Sequence, residues 1–188
     1  MNTFLAILTV LSSFLTNLET KTLQSSFTVT VSEEVNAPMN YPGQIIMRGD
    51  KFRLEMFGLE AAYDGKTMYM YSGDTDELTL SNPTENELLE ANPFLYVKAL
   101  VKECNITERK TSDDKQTIIT LTPKDQSIGI NRFTLRVRNA DLIPLQVEIK
   151  EGKKISSLKL TNPAFVNIQP AYVITPPDKD TYVNDMRF

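Results

Sequence analysis

Residues 45–71, IIMRGDKFRLEMFGLEAAYDGKTMYMY, carry the pattern that decides the fold class. Phe52, Leu54 and Met56 share one face, opposite Arg53 and Glu55, which is the period of two expected of a half-buried strand. Ile45 and Met47 alternate in the same way with Ile46 and Arg48, and Arg48-Gly49-Asp50 makes the turn between the two strands. Ala61-Ala62-Tyr63 then runs into Asp64-Gly65, a hairpin signal, and the return strand covers Lys66 to Tyr71. Strands joined by turns this tight must pair antiparallel, because a parallel crossover needs a dozen residues or more.

The same period continues outward. Phe27, Val29 and Val31 alternate with Thr28 and Thr30 upstream, and Glu77 to Leu80 follows the turn Gly73 to Asp76. Later strands are expected around Ile106, over Ile118 to Leu121, through Phe133, Leu135 and Val137, through Leu145, Val147 and Ile149, and over Ile155 to Leu160. Tyr172 to Thr175, before Pro176-Pro177, reads as a last edge strand, and Asn36 to Gly43, with Pro38 and Pro42, reads as a loop. The total is about eleven short strands, a meander or barrel rather than a set of βαβ units.

Helical spacing occurs in two places. Phe4, Ile7, Leu8, Leu11, Phe14, Leu15 and Leu18 form one stripe within residues 1–20. No basic residue precedes that stripe and no A-x-A pattern follows it, so the expectation is a first helix of a mature protein, with any secretory signal removed or absent. Within residues 84–104, Thr84 and Glu87 form a capping box before Leu88 and Leu89, and Asn92-Pro93 starts a second helix carrying Phe94, Leu95, Val97 and Leu100.

Composition narrows the function. The 188 residues suit one domain, 1–188, and 41% hydrophobic with 23% charged residues is ordinary for a globular chain. A net charge of −4 with scattered Lys and Arg disfavours nucleic acid. The absence of histidine removes the commonest general base, and Cys104 alone makes neither a disulfide nor a Cys-based zinc site. Asp74, Asp76 and Glu77 lack calcium-loop spacing, and no serine sits in a nucleophile elbow. The expectation is therefore no cofactor, no metal and no catalysis. Met39, Met47, Met56, Met68 and Met70, in or beside the first strands, suit a surface that accepts variable apolar shapes.

The ordered set of motifs resembles the outer-membrane lipoprotein carrier family, LolA. The resemblance rests on Ile45 to Leu54 with its Arg-containing turn, on Tyr63-Asp64-Gly65-Lys66-Thr67 with the aromatics that follow, and on Asn92-Pro93-Phe94 opening a helix. Ile119 to Lys124, Phe133 to Ile149, and Phe165 to Pro177 extend it over nearly the whole chain. It implies a mainly β protein with some helix: an incomplete, half-open antiparallel barrel covered by the N-terminal helix and a helical lid. It also implies a monomeric periplasmic carrier that takes acylated lipoproteins from an inner-membrane ABC transporter to an outer-membrane acceptor. A lipid-binding or lipid-sensing protein on the same scaffold is the alternative.

By the same resemblance Arg48 is the lid latch, bonding helix carbonyls. Phe52, Leu54, Met56, Tyr69 and Tyr71 are cavity residues, and Leu8, Leu11, Phe94, Leu95 and Val97 form the underside of the cover. Three departures stand out: Gly49 follows the arginine where the family commonly has proline, there is no Trp, and the tail after Pro177 is short.

Overall fold

The computed structural model describes residues 3–33 and 36–187, with the side chains of residues 3–9, 36 and 126 outside the description. Helix α1 (Thr3–Thr20) leads into β1 (Thr22–Glu33), β2 (Asn36–Arg48), β3 (Lys51–Met56), β4 (Leu59–Tyr63), β5 (Met68–Ser72) and β6 (Glu77–Ser81). Helices α2 (Glu85–Ala91) and α3 (Pro93–Leu100) follow. The chain continues as β7 (Cys104–Lys110), β8 (Gln116–Pro123), β9 (Arg132–Arg138), β10 (Pro144–Glu151), β11 (Lys154–Val166) and β12 (Tyr182–Asp185).

All twelve strands lie in one sheet, ordered β12-β6-β5-β4-β3-β2-β1-β11-β10-β9-β8-β7. Every neighbouring pair is antiparallel except β12 with β6. β1 and β11 join two meanders, running from Thr22↔Val166 to Ser32↔Ile155 with one bulge between Gln24 and Ser26. The sheet does not close, since β12 and β7 remain its two edges. The segment from β6 to β7 therefore has to pass from one meander to the other, and α2 and α3 lie on that path.

The alternating apolar residues of both meanders bury one face of the curled sheet. Leu23, Phe27, Met47, Phe52, Ile119, Phe133 and Val147 join a single cluster with Leu11, Phe14 and Leu18 of α1 and with Phe94, Val97 and Leu100 of α3. The helices thus supply the second layer that a one-faced sheet requires. A smaller cluster on the opposite, convex face holds Ala62, Tyr69, Leu78 and Leu80 under Ile174 of the C-terminal segment.

Two expectations change. Asn36 to Gly43 is strand, not loop: this part of β2 pairs with β1 and extends beyond β3, whose pairing begins at Gly43↔Met56. Pro38 and Pro42 are tolerated because that stretch has a neighbour on one side only. The final strand is not Tyr172 to Thr175 but Tyr182–Asp185. Pro176 and Pro177 have no N–H for a ladder, whereas the Asp178 carboxylate accepts the N–H groups of Asp180 and Thr181 at 2.7 and 3.0 Å and turns the chain. Tyr182 N–H then donates to Asp76 O at 3.0 Å and Met186 N–H to Leu80 O at 2.8 Å.

Gly43 is the point of closest approach in the central sheet. A Cβ there would meet the Phe27 ring and stand 2.5 Å from the Glu55 carbonyl oxygen, part of the rigid backbone of β3. Gly43→Ala should therefore lower unfolding stability by about 1–3 kcal/mol, the usual cost of overpacking, measured as a lower urea midpoint at unchanged slope. Glu108, half-buried on β7, carries a carboxyl whose pKa is raised by burial, and its Oε1 has no partner. A carboxyl easier to protonate when folded takes stability away as pH rises through the ordinary carboxylate range. Glu108→Gln should thus raise the melting temperature at pH 7 and leave it little changed at pH 3.

Candidate functional site

The roof over the sheet is built by two caps in succession. Thr84 and Glu87 form the reciprocal box that starts α2, with Thr84 N–H donating to Glu87 Oε2 at 2.7 Å and Glu87 N–H to Thr84 Oγ1 at 3.3 Å. Asn92 then ends one helix and begins the next. Its N–H donates to Leu88 O at 3.0 Å and its Oδ1 accepts from Phe94 N–H at 3.0 Å. Pro93 stands at the first turn of α3. Asn92 is fully buried, with its side-chain amide 3.8 Å from Met47 Sδ, so the joint between the helices is anchored to β2. α3 buries Phe94, Leu95, Val97 and Leu100, whereas α2 has no fully buried residue and packs on the core only through half-buried Leu88 and Ala91.

Beneath this joint is a half-open cavity of about 320 Å³. Its wall is hydrocarbon from five strands: Phe27 and Val29, Ile45, Leu54 and Met56, Val147 and Ile149, and Leu158. Ala91, Pro93 and the Tyr96 ring form the roof. Glu90, Glu151, Lys154, Ser156 and Ser157 supply the polar groups, with Lys154 and Glu151 paired at 3.5 Å. The Tyr96 hydroxyl is pushed up in pKa by burial and by Glu151 and Glu90, so it stays neutral. An apolar wall with a few polar groups is what a site for an amphiphile requires. A larger depression of about 490 Å³ on the convex face has Gln24, Gln44 and the Arg53–Glu60 ion pair in its lining, chiefly polar groups that offer an acyl chain little.

The residues singled out from sequence divide. Leu54 and Met56 line the cavity. Phe52 is wholly buried, its ring 6.2 Å from that of Tyr63, and belongs to the packed core rather than the cavity wall. Leu11, Phe94 and Val97 face the same core from the helices. Leu95 instead packs near Leu88 and Leu89, in the crease between α2 and α3. The side chain of Leu8 lies outside the described residues. Tyr69 and Tyr71 are on the other face of the sheet, a correction with a clear cause. The Asp64 carboxylate accepts the N–H groups of Lys66 and Thr67, both at 2.8 Å, so the strand starts at Met68 with Met68 inward and the tyrosines outward. Their hydroxyls donate to Asp64 and Asp76 at 3.2 and 3.1 Å. Phe27, Val29, Ile45, Val147 and Ile149 were legible as strand faces, but only the order of strands brings them to one cavity.

The latch expected of Arg48 is not formed in this structure. Arg48 is exposed at the end of β2, beside Tyr172, and among the described residues no hydrogen bond or ion pair joins it to α2 or α3. Lys98 of α3 makes the tie instead, donating to Glu19 of α1 at 2.8 Å and to Asp50 of the β2–β3 turn at 3.0 Å. The Glu19 contact first, then Asp50, raises the Lys98 pKa. Cys104 is buried with its thiol pushed up by burial, a packing residue and not a nucleophile. No described helix is long and apolar enough to cross a membrane, and no group of three potential metal ligands occurs among the described residues.

The family model described as outer membrane lipoprotein carrier protein LolA matches residues 18–170, from the last turn of α1 past the end of β11. The chain belongs to the LolA family. The solved structure of an uncharacterized conserved protein from Thermus thermophilus is similar to it at a TM-score of 0.61 and 16% identity, covering 93% of this chain and 96% of that one. The complex of Pseudomonas aeruginosa MucA/MucB contains a chain similar to it at a TM-score of 0.52 and 15% identity, over 88% of this chain and 59% of that one. At such identities these neighbours speak for the LolA-like fold alone. A search of the curated proteins finds no match.

The lid tie yields a measurable expectation. All three side chains of the Lys98 triad are about half exposed, so each pair contributes roughly 0.2–1 kcal/mol. Lys98→Ala removes both pairs and should therefore speed hydrogen exchange of the α3 amides by about two- to thirtyfold. The difference should shrink in high salt. Because the Lys98 pKa is raised, the tie is complete below the ordinary lysine range and is lost as pH climbs through the elevated value.

Proposed function

We propose that this LolA-family protein is a periplasmic carrier that shields lipoprotein acyl chains from water, receiving them from an inner-membrane ABC transporter and delivering them to an outer-membrane acceptor. The observation that carries the reading is the hydrocarbon-lined cavity between the concave sheet and the α2–α3 joint. Burial of each methylene is worth about 0.8 kcal/mol, so ten of them supply about 8 kcal/mol before the cost of association. That magnitude suits a carrier: enough to hold a chain, small enough to release it to the next site.

Arg48 keeps a place in this scheme as the proposed latch of a different lid position, since it stands at the end of β2 beside the turn that Lys98 grips. The role is one of binding. The cavity wall offers packing surface, and two of its charged groups, Lys154 and Glu151, are engaged with each other. A lipid-binding or sensing role on the same scaffold uses the same cavity and differs only in what takes the ligand away.

The test is displacement of a neutral, environment-sensitive dye from the purified protein by a triacylated lipopeptide. Binding in the micromolar range is expected. Met56→Asp, which puts a carboxylate on the cavity wall, should weaken it by tenfold or more, while Glu55→Gln on the opposite face should not. A protein that takes up neither dye nor lipopeptide is not a carrier of this kind.

A further inference from the structure

We infer that the cavity takes a single hydrocarbon chain of about ten to twelve carbons from an amphiphile whose headgroup bears no net negative charge. The inference rests on the carrier reading and narrows its ligand.

Most of the space inside the half-open barrel is already filled. Phe14 from α1, Phe94 from α3, and Phe52 and Phe133 from the two meanders are at most 1% exposed and occupy the centre. What remains is the groove over β1–β3 and β10–β11, at about 320 Å³. A methylene occupies nearly the same ~30 Å³ as a water molecule in the liquid, so about ten fit in a volume of that size. A second chain would have to displace a packed aromatic or lift the roof. The roof is fixed at its joint, because Asn92 is buried, caps α3 and bonds the end of α2.

The charged side chains that line the cavity decide the headgroup. They are two carboxylates, Glu90 and Glu151, and one ammonium, Lys154, which is already paired with Glu151. A free carboxylate or a phosphate monoester arriving with a chain meets a net negative surround. A glyceryl or zwitterionic group finds both signs and the Ser156 hydroxyl.

The experiment is a chain-length series of 1-monoacylglycerols, from six to eighteen carbons, competing with a neutral dye. Alkyl phosphocholines and fatty acids of matched length are run beside it. The expected result is a gain of about fourfold in affinity per methylene up to about twelve carbons and then no further gain, at one chain per protein. Fatty acids should bind at least tenfold more weakly than monoacylglycerols at low salt, with the gap narrowing in Glu90→Gln. Ala91→Phe, which fills part of the groove, should move the plateau to shorter chains. Ile149→Phe on the facing strand serves the same purpose should the first variant fold poorly. Affinity still climbing at eighteen carbons, two chains per protein, or equal binding of fatty acids overturns this inference and leaves the carrier reading in place. Absence of binding by every chain overturns both.

Discussion

The pairing of β1 with β11 is the contact on which the rest of the architecture depends. It joins residues at opposite ends of the chain, Thr22 to Val166 and Val31 to Ser156, and it makes one sheet from two meanders that are each local in sequence. Local hairpins are cheap to close, while a contact across most of the chain must first overcome a large loop entropy. The apolar residues on its concave side, Leu23, Phe27, Leu158 and Leu160, provide the compensating burial. Without that ladder Phe27 and Leu158 would not meet, and the cavity between the meanders would have no floor.

The covering layer follows from the same topology. Once the two meanders lie side by side, the link from β6 to β7 must run over the concave face, and a segment that crosses an apolar surface does best as an amphipathic helix. The chain uses two short helices in place of one long one, and the break at Asn92-Pro93 lets the second turn its apolar side down. The ion triad of Lys98, Glu19 and Asp50 holds the far end of that cover at modest strength.

Much of this was legible in the sequence because period-two patterns and capping residues are local signals. The strands from Phe27 to Leu160, the helical stripe at the N-terminus and the two caps of the lid all follow from them. The phase of β5 was not legible, since Met68-Tyr69-Met70-Tyr71 is apolar on both faces and only the Asp64 turn decides which pair points inward. The prolines at 38 and 42 suggested a loop because sequence does not tell which side of a strand lacks a neighbour. The cavity itself is a product of strand order: its residues come from five strands, two of them more than a hundred residues from the first. The Arg48 latch is an expectation from resemblance alone, whereas α3 is tied by Lys98, which stands in no sequence pattern of its own.

The short parallel strand at the C-terminus acts as a gasket. Antiparallel meanders leave a row of bare amides and carbonyls at each end, a template for joining another molecule. At one end β12 covers that row along β6, held by four backbone partners and by Thr181 and Asn184, which reach Asp76 and Glu77. At the other, β7 carries the exposed Arg109 and Lys110, charges that discourage stacking. A protease nick near Asp178, in the exposed stretch before β12, would leave the cavity intact and yet uncover a sticky border. Clipping at that site would leave a molecule able to self-associate through its sheet.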